Sequence, residues 1–212
     1  MSSDSLGTHP QHLFGLRPES DAFNKFVASL VVRKGIAAAR PDIKVYSDAV
    51  YYNYYALGIS FTSKPDKGYV PKSSSIDPWR LYLDSVDFYN VPSAPRASSS
   101  RPTEKAFSTY VMLPLSLQLT PDIKDKEGKV MERLSSVVIE NDSTGKYFVS
   151  SFGEPDRKGG GAGPSNGSVG IWCEWTRDGV MVEFAGDDAR GPQAWERGKD
   201  AVWKVITIFK PS

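Results

Sequence analysis

From the amino end, the apolar positions first fall into a helical rhythm. Phe23, Phe26, Val27, Leu30 and Val31 recur at spacings of three and four, which makes one face of a helix, with Ser20 or Asp21 placed to cap its start. Ala37, Ala38 and Ala39 can extend that helix, Gly35 weakens it, and Pro41 ends it. The rhythm then becomes that of strands. Between Val45 and Ser63, the residues Tyr51, Tyr52, Tyr54, Tyr55, Ile59 and Phe61 lie among turn residues, with Leu57-Gly58 as a hairpin or bulge, and this predicts two strands. Lys64 to Asp77 reads as a polar loop, after which Leu81, Leu83, Val86, Phe88 and Val91 mark a further strand or strand pair closed by Pro92.

Pro92 to Pro102 is rich in Pro, Ser, Ala and Arg, a composition that buries too little surface to order itself, and reads as a linker or disordered loop. Tyr110 to Leu119 and Ser136 to Ile139 read as strands around the charged turn Asp122 to Lys129, where Glu127-Gly128 favours a reversal. A second helix is signed at both ends, by Asp142-Ser143-Thr144 before Tyr147, Phe148, Val149 and Phe152, and by Gly153 and Pro155 after them. Beyond the glycine-rich stretch Arg157 to Gly167, the segments Val169 to Trp175 and Val180 to Phe184 flank Asp178-Gly179, a strong hairpin signal. Trp203 to Phe209 is the last strand. Residues 1 to 18, with His9, Pro10, His12, Gly15 and Pro18, read as a flexible arm ending in a docking segment around Leu13, Phe14 and Leu16.

Laid side by side, the two halves correspond in order. Phe26-Val27-Ala28-Ser29-Leu30 matches Phe148-Val149-Ser150-Ser151-Phe152 at the end of a helical face. Tyr51-Tyr52-Asn53-Tyr54 with Gly58 matches Trp172-Cys173-Glu174-Trp175 with Gly179. A loop with one tryptophan follows, Trp79 and then Trp195, and each half closes with a strand running into proline, Pro92 and Pro211. The expected fold is therefore α+β: two related helix-then-antiparallel-strand units sharing a mostly antiparallel sheet. The boundaries are an arm at 1–18, a first unit at 19–92, a linker at 93–103, additional strands at 104–140 and a second unit at 141–212. Phe152-Gly153-Glu154-Pro155 resembles the Leu-Gly-x-Pro that ends helices in the tandem helix-and-sheet modules of β-lactamase inhibitor proteins and small outer-membrane assembly lipoproteins. The resemblance covers one short motif and a topology, and carries no function with it.

Composition narrows the function classes. The 212 residues are 40% hydrophobic, enough for a sizeable core, and 12% aromatic with five tryptophans and ten tyrosines. With 26 basic against 25 acidic residues the net charge is +1, so nothing global draws the chain to nucleic acid, an anionic membrane or a strongly acidic partner. One cysteine, Cys173, excludes an intramolecular disulfide. Met1 to Pro10 lacks the apolar run of a signal peptide, and no stretch nears the roughly 20 apolar residues of a membrane span. The expected compartment is the cytosol, with the nucleus as the alternative.

Candidate chemistry is sparse. Lys158 to Gly167 invites a phosphate cradle, but a strand rather than a helix follows and no Gly-Lys-Ser/Thr ends it, so a hairpin connection is the better reading. Cys173 alternates with Trp172 and Glu174 in a strand and has no histidine partner outside the arm, while one cysteine with His9 and His12 makes no recognisable zinc set. Asp156, Glu174, Glu183, Asp187 and Asp188 crowd the second unit and could hold a hard cation or work as acid and base. Asp156 with Glu174 resembles the acidic pair of restriction-type nucleases, yet Thr176 stands where their lysine would.

Arg190, Trp195, Arg197 and Lys199 mix aromatic and basic groups as interfaces do. Trp195 is either a core plug or an exposed anchor, and the same choice applies to Trp79. The run Tyr51 to Tyr55 must put alternate rings on opposite faces, which adds Tyr52 and Tyr54 to the candidate binding residues. The expectation is a non-enzymatic module that binds a protein partner, without cofactor or metal. The alternatives are a carbohydrate-binding protein and a metal-dependent hydrolase or nuclease using the second unit's acids.

Overall fold

The computed structural model describes residues 10–91, 106–121, 123–124, 128–161 and 170–211. The expected linker, the first nine residues of the arm and most of the glycine-rich loop, including His9, lie outside that range. The fold is α+β, mostly a large antiparallel sheet with few helices. None of the described helices is long and apolar enough to cross a membrane. The chain divides into two compact units, residues 1–112 with 207–210 and residues 113–206 with 211–212.

In the first unit, helix α1 spans Asp21–Lys34 and buries Phe23, Phe26, Val27 and Leu30. It stops at Gly35, which takes a left-handed conformation (φ 71°) that returns its N–H to the carbonyls of Val31 and Val32. Ala37 to Ala39 therefore do not extend it, because the left-handed cap turns the chain away. Four strands follow: β1 (Asp42–Val45), β2 (Val50–Tyr54), β3 (Ile59–Pro65) and β4 (Leu81–Tyr89). Each pairs antiparallel with the next. β4 is one strand, and its core positions Leu81, Leu83, Val86 and Phe88 break step because Thr62 pairs with Ser85 while Ser63 pairs with Leu83, leaving Asp84 as the extra residue.

Aromatic rings seat the helix on the sheet: Phe23 and Phe26 meet Phe61 edge-on at 4.8 and 6.2 Å between centroids, and Phe23 meets Tyr52 at 6.4 Å. Burying rings of this size contributes roughly 2 kcal/mol each, which makes this cluster the first unit's main hold. Leu13 is fully buried, and the neighbouring chain docks on β4 through Gly15 N–H to Leu83 O and Leu83 N–H to Leu16 O, both 2.9 Å. Gly58 (φ 68°) admits no side chain, since a Cβ there would lie 2.5 Å from Ser108 O and Tyr110 N. That close approach lets Tyr110 donate to Tyr89 O and stack edge-on against Phe88.

In the second unit, β5 (Leu115–Gln118) pairs with β8 (Ser136–Ile139), and the short β6 (Ile123–Lys124) with β7 (Val130–Met131). Helix α2 (Gly145–Phe152) is followed by β9 (Arg157–Gly159), β10 (Trp172–Trp175), β11 (Val180–Phe184), the short helix α3 (Ala194–Arg197) and β12 (Trp203–Phe209). The N-cap of α2 is Thr144, whose side chain makes no capping hydrogen bond, and Ser143 of the expected capping cluster accepts the N–H of Glu140. Its rings Phe148 and Phe152 pack on Trp175, whose indole N–H donates to Gly153 O at 2.9 Å. Asp178 is the third residue of the four-residue turn Thr176–Gly179, so the Asp-Gly pair closes the hairpin turn rather than making all of it; its carboxylate accepts from Arg133 (2.7 Å) and from the N–H of Thr120 (2.9 Å), and both members of the ion pair are buried. The last residues of β12, from Thr207, belong with the first unit beside β4.

Candidate functional site

The loop between β3 and β4 holds Trp79 outward on a braced frame. Pro78 starts a single 3₁₀ turn, Pro78–Arg80, capped by the Asp77 carboxylate, which accepts the N–H of Trp79 at 3.0 Å. The Tyr69 hydroxyl accepts the N–H of Asp77 at 2.8 Å, and the Arg80 guanidinium lies over the Tyr69 ring at 4.8 Å. Asp66 N–H donates to Arg80 O at 2.8 Å, and Arg17 reaches both Asp66 (2.8 Å) and Leu81 O (2.9 Å). Trp79 is 70% exposed and Val70, in the same loop, 59% exposed. These contacts fix the backbone that carries Trp79 while its ring stays exposed, so the loop presents a large ring from a pre-organised frame.

Trp195 takes the exposed alternative rather than the core plug. It sits on α3, is 44% exposed, and has the Lys158 ammonium over its ring at 5.5 Å. Arg197 and Lys199 are exposed on the same short segment, where Arg197 stands 4.0 Å from Asp188. Arg190 is half-buried, with its Nε enclosed and unpartnered. The plug is Trp203, which is fully buried and donates to Glu140 O at 2.8 Å.

Tyr52 and Tyr54 are not surface residues. Period two puts Val50, Tyr52 and Tyr54 on the helix-covered face, leaving Tyr52 2% and Tyr54 7% exposed. Burial raises both phenols, that of Tyr54 to about 12. The opposite face of β2 carries Tyr51, half-buried, and Asn53, buried.

The second unit's acids are engaged by neighbouring groups, and Asp156 and Glu174 meet on Thr176. Glu174 meets Arg157 (3.3 Å) and the Thr176 hydroxyl (3.0 Å), Asp156 accepts the N–H of Thr176 (2.9 Å), and Glu183 pairs with Lys204 (3.0 Å). Among the described residues no group of three or more His, Cys, Asp or Glu could hold a metal ion. Cys173 is buried, which pushes its thiol up to about 11, the reverse of an activated nucleophile.

One residue escaped sequence reasoning. Asp87 lies on the face of β4 opposite Phe88, half-buried, with the Thr207 hydroxyl donating to it at 2.7 Å. Burial raises its carboxyl to about 6, against the weaker opposing effect of the Thr207 hydrogen bond. In Leu81 to Tyr89 it reads as an ordinary outward polar position, and no local signal marks it. Comparison of the chain with protein-family models, curated proteins and solved structures returns no significant match.

Proposed function

We propose that the chain is an intracellular, non-enzymatic binding module that engages a protein partner, with Trp79 as the anchor of its contact surface. The observation that carries this reading is the exposure of Trp79 on a loop whose hydrogen bonds and stacked arginine already fix it. Binding through it therefore costs little ordering, and the ring can supply a hot spot. Trp195 stands in the corresponding place of the second unit, on a short helical turn ahead of the closing strand. We also read the two units as built on copies of one module, since α1 with β1–β4 and α2 with β9–β12 each run as a helix, four strands and an exposed tryptophan before the last strand.

The test is affinity capture from the native cell followed by titration of the captured protein against purified chain. Trp79→Ala should weaken binding at least tenfold while the melting temperature stays unchanged, because the ring contributes little to the core. Equal affinity for wild type and variant would remove Trp79 from the surface. A Trp79-dependent signal on a glycan array, with no protein captured, would replace the protein partner by a sugar.

A further inference from the structure

We propose that Asp87 is a recognition site for an arginine side chain of the protein partner, on the face of the first unit's sheet opposite the one that α1 packs against. Asp87 is short of hydrogen-bond donors. Strand register sets Ser60 across from Asp87, and Asn53 across from Ser60. Ser60 has given its only hydroxyl proton to Asn53 Oδ1 at 2.9 Å, and Asn53 Nδ2 donates to Asp42 O at 3.0 Å. Ser60, the residue paired with Asp87, has thus spent its one donor on Asn53 and has none for the carboxylate. Thr207 supplies one hydrogen bond to Oδ1, and no cation pairs with Asp87 among the described residues.

The surrounding groups do not neutralise it. Lys64, on β3, is committed to Asp84 at 3.0 Å. Tyr51, on β2, is a neutral phenol whose ionisation is opposed by burial first and then by the charges of Asp87 and of Asp48 in the β1–β2 turn. Ser60, Asn53 and Thr62 are buried, so the half-buried carboxylate among them has lost part of its water and gained one donor, the Thr207 hydroxyl. A guanidinium meets this deficit. It is planar, weakly hydrated and rich in N–H groups, and it can lie against the half-buried Tyr51 ring one row along while donating to Asp87. A partner arginine would thereby be recognised by charge and by plane together.

The site rests on the reading of the chain as a protein-binding module, but it is tested apart from Trp79. The isotope-labelled chain is titrated with the peptide acetyl-Gly-Arg-Gly-amide and with its neutral citrulline counterpart, followed by amide NMR shifts. Saturable shifts at Ser60, Asp87 and Thr207 are expected at pH 7.5 with the arginine peptide alone. At pH 5 the affinity should fall about tenfold as the carboxyl takes up its proton. Asp87→Asn, whose spectrum also reports that it folds, should abolish the shifts. Shifts that are absent at pH 7.5, equal with citrulline, insensitive to pH, or retained in Asp87→Asn overturn the proposal. Trp79-dependent capture can succeed while this titration fails, and the reverse, so the two failures are distinguishable.

Discussion

Asp178→Ala should destabilise the second unit by about 3–5 kcal/mol, the range for stranding one charge of a buried ion pair. The reason is what the substitution leaves behind. Arg133 and Asp178 have side chains only 8% and 2% exposed and meet at 2.7 Å, so alanine would leave a buried guanidinium whose Nε already has no partner. The same carboxylate oxygen accepts the N–H of Thr120, and the Thr120 hydroxyl donates to Arg177 O at 2.6 Å, so the chain around residue 120 would lose its tie to the β10–β11 turn as well. Urea unfolding followed by tryptophan fluorescence measures this. Arg133→Met combined with Asp178→Ala should recover much of the loss, because removing both charges costs less than removing one. A single variant within about 0.5 kcal/mol of wild type would mean that the pair is not buried in solution.

Asp87→Asn should act in the opposite direction, raising stability at neutral pH. The folded carboxyl titrates near 6, above its ordinary 3.8, so the folded state holds this proton more tightly than the unfolded one. A raised pKa gives stability that is present below about pH 4 and is lost as pH climbs through 6. The ionised form then burdens the fold by roughly 2 kcal/mol at neutral pH, with the partial exposure of the group allowed for. Asparagine keeps the shape and can still accept the Thr207 proton, yet carries no charge. Wild type and variant should therefore differ little at pH 4 and by about 2 kcal/mol at pH 7.5. A difference independent of pH would show that Asp87 is not the group that titrates. A site that costs stability in the free protein is what a partner-supplied cation would relieve.

Both predictions turn on contacts that local sequence patterns do not contain. The elements themselves were legible wherever a period of 3.6 or 2 ran unbroken. Phe23 to Leu30 marks α1, Tyr147 to Gly153 marks α2 and its end, and Asp178-Gly179 marks the turn between β10 and β11. Gly35 outweighed the three alanines after it, because a left-handed cap with two backbone hydrogen bonds ends a helix more firmly than alanine propensity prolongs it. Tyr52 and Tyr54 could not be assigned to a face, since alternation says that adjacent tyrosines diverge without saying which set the helix covers.

Pairings across long stretches of chain were silent. Arg133 and Asp178 lie 45 positions apart, and Asp87 and Thr207 lie 120 apart, so neither could be found without the fold. Trp79 and Trp195 were singled out for their place ahead of a closing strand. Both are exposed on short helical turns, that of Trp79 capped by Asp77 and that of Trp195 without a side-chain cap.

Docking of a partner on the Trp79 loop is tested most directly by hydrogen exchange read peptide by peptide, with and without the captured partner. The brace places Trp79, Tyr69 and Arg80 in one fixed surface, so protection on binding should be concentrated in residues 66–80. Trp79→Ala should remove that protection. Protection confined to other segments, with 66–80 exchanging as in the free chain, would contradict the account.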